Sequence, residues 1–139
     1  MAKKLTISKL KRYAWEEFSR YIRRKECLET TGTLHYGTCV SCGQTKPYKS
    51  LDAGHFVPGR GGAILFDERG VHIQCVKCNR FMSGNWVPYE DWMREHYGKD
   101  VISELKINSK LPKKLERDEL VEIRKKYKLL ADELEENNE

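Results

Sequence analysis

No run of about 18 apolar residues occurs in this 139-residue chain, so no membrane-spanning helix is expected. The opening residues, Met-Ala-Lys-Lys-Leu-Thr-Ile-Ser, lack the apolar segment of a secretory signal, and a soluble, cytoplasmic protein with no membrane partner is expected. Hydrophobic residues make up only 39% and charged ones 34%, a polar balance that still leaves enough apolar side chains for a folded core. The length is that of one compact unit, and a single domain over residues 1–139 is expected. Internal repeats are absent apart from two Cys-x-x-Cys pairs, Cys39 with Cys42 and Cys75 with Cys78. In a reducing compartment these argue against a disulfide framework and point to metal binding. Cys27, the fifth cysteine, reads as a buried structural thiol in a helix.

Acidic residues are scarce at the start. Residues 1–25 hold nine Lys or Arg against Glu16 and Glu17, whereas residues 113–139 are slightly acidic and the whole chain carries +5. A concentrated positive field suits a polyanion, DNA or RNA, through phosphate neutralisation and counterion release. Arg20, Arg23 and Arg24 in this segment are candidate DNA contacts.

The spacing of Leu10, Ala14, Trp15, Phe18, Tyr21 and Ile22 predicts an amphipathic helix over about 8–29, within a basic N-terminal segment 1–30. Thr30 to Gly37 reads as a turn into the first cysteine knuckle, Cys39-Val40-Ser41-Cys42-Gly43. Residues 51–57 and 71–75 read as two strands of a hairpin joined through the glycine-rich loop Pro58-Gly59-Arg60-Gly61-Gly62. The second knuckle follows, then a loop over 79–85 and a helix that has Pro88 in its first turn and stops at Gly98. Residues 100–139 read as C-terminal helices: a short one capped by Asp100 and, after Pro112, a last one of about 22 residues. Leu120, Ile123, Tyr127, Leu130 and Leu134 form a three-four seam there, which serves either packing on the same domain or a homodimer.

Two Cys-x-x-Cys pairs separated by 32 residues can supply four thiolates to one tetrahedral zinc. Such a closed site has no open position for water and is structural. It would clamp a hairpin with His55 on its first strand and His72 on its second, with Asn79 directly after the last cysteine.

The set Cys39-x-x-Cys42, Gly54-His55-Phe56, Gly61-Gly62 and Cys75-x-x-Cys78-Asn79 resembles the zinc-containing branch of the HNH, or ββα-metal, endonucleases. The longer run, with Asp52 to Phe56, Phe66 to Cys75 and Ser83-Gly84-Asn85, is similar to the NinG/Rap family of phage recombination nucleases, over roughly residues 38–98. The resemblance implies an α+β protein with a small zinc-stabilised ββα-metal (HNH-like) core, flanked by the basic helix and the C-terminal helices. It implies cleavage of branched recombination intermediates, Holliday junctions and D-loops, in the cytoplasm of a phage host, with recombination proteins as possible partners.

Phosphodiester hydrolysis needs a water nucleophile, a base and a cation. His55 is the expected general base, its tautomer fixed by a backbone carbonyl. Asn79, and secondarily His72 and Asp52, are the expected ligands of a catalytic Mg²⁺ or Mn²⁺; the alternative for His72 is a strand histidine satisfied by backbone. Many HNH enzymes have Asp directly before the base, where this chain has Gly54. Gly70 stands where an orienting Asn is common, and Asp67 is another possible carboxylate. Arg60, Arg69, Lys77, Arg80 and Lys46 are expected to line a phosphate track. Two other function classes fit the same pattern: a non-catalytic zinc-knuckle DNA-binding module, and a protein-interaction adaptor.

Overall fold

In a computed structural model, residues 4–59 and 61–138 are described. The first helix, α1, spans Ile7–Thr31, two residues beyond the expected end, because nothing breaks it before Gly32. Thr6 caps its start by accepting from the Lys9 N–H, and Gly32, at φ 78°, lets its N–H turn back to the Leu28 carbonyl. The first knuckle sits on a short hairpin, β1 (Tyr36–Thr38) and β2 (Thr45–Pro47). That hairpin is absent from the sequence reading, since strands of three residues carry no periodicity to detect.

The second hairpin is β3 (Leu51–His55) and β4 (Val71–Cys75), antiparallel, with Leu51 opposite Cys75 and Gly54 opposite His72. Leu51, Ala53, Val71 and Ile73 on one face join Phe18 and Ile22 of α1 in the largest core cluster. Gly54, His72 and Gln74 on the other face lie under α2 (Trp86–Tyr97), whose Tyr89 hydroxyl donates to the Gly54 carbonyl at 2.7 Å. Both faces of β4 are therefore buried. Of the loop expected over 79–85, the first three residues instead belong to a π-helical turn, Lys77–Phe81, and residues 82–85 are irregular as expected.

α3 (Lys99–Asn108) begins at Lys99, so Asp100 lies in its first turn instead of capping it. Gly70 packs against this helix: a Cβ there would sit 3.2 Å from a Leu105 methyl. α4 (Arg117–Asn137) starts with a reciprocal capping pair, Glu116 and Glu119. Its seam runs parallel to α1: Leu120 packs with Leu10 and Ala14, and the Tyr127 ring meets Phe18 edge-on at 4.7 Å. The seam thus serves packing on the same domain, which leaves a homodimer without the surface on which it was expected. Among the described residues no helix is long and apolar enough to cross a membrane.

Candidate active site and metal cluster

The cysteines come together because each pair closes a tight turn anchored to the same strand. In the first knuckle the Gly43 N–H reaches the Cys39 carbonyl and the Cys39 N–H the Gln44 carbonyl, both at 2.9 Å, with Gly43 at φ 74°. The Val40 N–H donates to Ile73 of β4 at 3.0 Å, docking that knuckle on the strand that ends in Cys75. Four bonds of about 2.3 Å at tetrahedral angles place sulfurs about 3.8 Å apart. Cys42 Sγ and Cys75 Sγ lie 3.8 Å apart, and the four Sγ atoms of Cys39, Cys42, Cys75 and Cys78 are all within 4.8 Å of one another. The Asn85 side-chain amide donates to Cys78 Sγ at 3.4 Å. Burial pushes the Cys78 thiol up to about 12, so a set of thiolates here calls for a cation among them. These four side chains could hold one metal ion. Cys27 is buried apart from them, its thiol pushed up to about 11 by burial.

A separate cleft of about 450 Å³ follows the outer edge of β3 and is lined by Asp52, His55, Asn79, Arg80, Ser83 and Trp15, among others. Asp52 and His55 have opposite strand parity, yet an edge strand presents both faces to a hollow at its margin, so they share it. His55 Nε2 lies 3.2 Å from the Leu65 carbonyl, which can only accept; Nε2 therefore carries hydrogen, and in the neutral ring Nδ1 is the basic nitrogen. The imidazole stacks on the Trp15 indole at 5.0 Å between centroids and 17° between planes.

Across the cleft, Asn79 Nδ2 donates to Asp52 Oδ2 at 3.0 Å, and Arg80 forms a two-pronged ion pair with the same carboxylate, each bond 2.9 Å. Gly54 has a steric reason. A Cβ there would collide with Gln74 Oε1 and come 3.0 Å from Asn79 Oδ1, so the amide oxygen of Asn79 lies over the space that an Asp side chain would fill. Gly54→Ala is accordingly expected to lower stability by about 1–3 kcal/mol through overpacking, read as a fall in Tm, and to disturb the Asn79–Asp52 bond.

His72 is not in this cleft. It is buried on β4, with Nδ1 2.7 Å from Glu26 Oε2 and Nε2 2.8 Å from the Arg69 carbonyl. Glu26 also accepts from the Ile73 N–H at 2.9 Å, so the pair fastens α1 to the hairpin, and His72 is the satisfied strand histidine, though by a carboxylate as well as by backbone. Asp67 is likewise elsewhere. Burial raises its carboxyl, but the Arg69 side chain and N–H outweigh that and hold it below the usual range.

Of the expected DNA contacts, Arg80 lines the cleft and Lys77 is exposed beside the cysteines. Arg60 lies outside the described residues. Arg69 is held by Asp67 and Glu104, at 2.9 and 2.6 Å. Arg20 pairs with Asp132 at 2.8 Å, Arg24 donates to the Ala131 carbonyl at 2.8 Å, and Arg23 lies over the Tyr48 ring at 4.6 Å. These three arginines bind the chain to itself, which corrects their placement on a free basic face. Sequence reasoning missed Trp15 as the platform under His55, Glu26 as partner of His72, and Gln74. Trp15 and Gln74 lay within a stripe and a strand whose period explained them without reference to a site, whereas Glu26, four residues after Ile22 on the buried face, was the one charge that the stripe did not explain.

Comparison with known proteins gives a match to the family described as "Bacteriophage Lambda NinG protein" over residues 2–138. Among curated proteins, "Protein ninG" of Salmonella phage P22 is 40% identical over 73 residues, covering 52% of this chain and 36% of that protein. "Protein ninG" of Escherichia phage 933W is 39% identical over 71 residues, 50% of this chain and 35% of that protein. The corresponding protein of Escherichia phage lambda is 38% identical over 71 residues, 50% and 34% of the two chains. The aligned stretch thus spans about a third of the length of these relatives. No solved structure matches this chain.

Proposed function

The chain belongs to the NinG family of bacteriophage proteins, and on that premise we propose that it is a metal-dependent DNA endonuclease with an HNH-like ββα-metal centre, acting on branched recombination intermediates. The observation that carries this reading is one cleft that brings together His55, with its tautomer fixed by Leu65, and the oxygen donors Asn79 and Asp52. In this reading Cys39, Cys42, Cys75 and Cys78 hold a structural zinc. Nδ1 of His55 takes the proton of the attacking water, and the Trp15 stack keeps the ring in plane. Asn79 Oδ1 and the Asp52 carboxylate would be the hard donors for Mg²⁺ or Mn²⁺, which would supply charge stabilisation for the phosphate and the leaving oxygen.

Arg80 and that ion address the same carboxylate, while Arg80 and DNA phosphate are natural partners. Arg80→Ala is therefore expected to bind Mn²⁺ several-fold more tightly in the absence of DNA, by calorimetry, and to bind DNA with a log K against log salt slope about 0.9 less steep.

The reading is tested by incubating the protein with linear, flap, D-loop and four-way DNA in Mg²⁺ or Mn²⁺, alongside Asn79→Ala. Preferential cutting of the branched substrates, lost in Asn79→Ala, is the expected result. Salt-sensitive DNA binding without any cutting would leave the binding-module reading instead, and no DNA binding would leave the adaptor.

A further inference from the structure

Between the His55 cleft and the cysteine cluster the chain folds back in a tight turn over residues 80–84. Arg80, Ser83 and Gly84 line the cleft on one side. Lys77, Met82 and Asn85 line a second hollow of about 370 Å³ on the other, together with Lys46 and Cys42. The turn is a ridge between two hollows, and Phe81 stands on it with 81% of its surface exposed, beside Met82 at 47%.

The ridge is locked in place. The Met82 N–H donates to Lys77, the Gly84 N–H to Cys78 and the Asn85 N–H to Met82, at 2.9, 2.8 and 2.9 Å. Ser83 and Asn85 both take left-handed backbone, at φ 50° and 41°, which Asn adopts readily and Ser much less so. A large apolar ring held in water on a hydrogen-bonded turn is exposed for contact.

Its surroundings say with what. Residues 38–50 and 70–89, which carry both knuckles and the ridge, contain Lys46, Lys49, Lys77 and Arg80 and no Asp or Glu, and the one carboxylate at the cleft edge, Asp52, is the partner of Arg80. A projecting aromatic ring with Lys46 and Lys77 along one side and, on the other, an Arg80 whose partner Asp52 a phosphate can replace complements a polyanion with exposed flat faces, which is nucleic acid with unstacked bases. An apolar helix of a partner protein would need a groove, and the apolar element here is a crest.

We propose that Phe81 is a wedge that stacks on an unpaired or unstacked base at a DNA branch, directing one strand into the His55 cleft and the other along the Lys46–Lys77 hollow. This rests on branched DNA being the substrate and makes Phe81 a specificity determinant, not a catalytic residue.

The test uses the zinc-loaded 139-residue chain in buffer without Mg²⁺ or Mn²⁺, so that it reads binding alone. A four-way junction carries 2-aminopurine next to the branch, and a linear duplex of the same sequence serves as reference. Wild type is expected to raise the fluorescence at the branch. Phe81→Ala should lose that rise and about tenfold of the junction-over-duplex preference, with zinc content and Tm unchanged, while Phe81→Trp keeps both. A Phe81→Ala protein equal to wild type in both readouts would overturn the proposal, as would loss of self-association in Phe81→Ala, which would assign the crest to a second copy. A wild-type protein that opens the branch but never cuts in Mg²⁺ or Mn²⁺ would sink the nuclease reading and leave the wedge standing.

Discussion

If Cys39, Cys42, Cys75 and Cys78 hold a metal, Cys78→Ser is expected to remove it and, with it, the fold of residues 38–98. Thiolate zinc sites in small domains contribute apparent binding free energies of about 10–16 kcal/mol, as large as the whole stability of an ordinary domain at about 5–15 kcal/mol. Here the cluster joins β1–β2, the end of β4 and the π-helical turn, segments with little core of their own: Cys39, Cys75 and Cys78 are themselves members of the main core cluster. The variant should carry less than one metal per chain by elemental analysis and show no cooperative melting of the hairpin. Cys27 is the internal control. It is equally buried and belongs to the same core, but is not one of the four clustered thiols, its own touching the space above Gly37, so Cys27→Ala should keep the metal and lose only about 1 kcal/mol. Equal behaviour of the two variants would mean that the cluster binds nothing that matters to the fold.

His55→Ala should do the reverse. The substitution removes a stack on Trp15 and a hydrogen bond to Leu65, together about 2 kcal/mol, and leaves the cysteines untouched. Activity is expected to fall by about 10²–10⁴-fold, the usual contribution of a positioned general base, with metal content and DNA affinity near wild type. In the nuclease reading the two substitutions therefore separate a metal that would hold the site in shape from an ion that would take part in the chemistry.

Long periodic segments were legible from the sequence. The stripe Leu10, Ala14, Phe18, Ile22 located α1, and the Leu120–Tyr127 seam located α4, since burial of one face repeats at helical spacing. The cysteine spacing gave the cluster for the same reason: ligand geometry leaves a regular trace. The partners of isolated polar residues left none. His72 and His55 look alike on their strands, yet a one-residue difference in parity sends His72 under α2, against Glu26 from a helix 46 positions earlier, and leaves His55 at the sheet margin over Trp15. The arginines of α1 show the limit on charge patterns. Nine cations in 25 residues suggested a free face, but Asp132 and the end of α4, more than 100 residues away, engage Arg20 and Arg24. Gly54 was visible as a departure from the expected Asp, and only the packing of Gln74 and Asn79 above it gave a reason.

The most direct test of the nuclease reading is the single-turnover rate at which zinc-loaded wild type and His55→Ala nick a four-way junction with saturating Mg²⁺ or Mn²⁺. The account predicts cutting by wild type that stops when the divalent ion is left out, and a rate at least about 100-fold lower for His55→Ala at equal junction occupancy. An intact junction with wild type in every divalent ion, or a His55→Ala protein that cuts as fast as wild type, would contradict it.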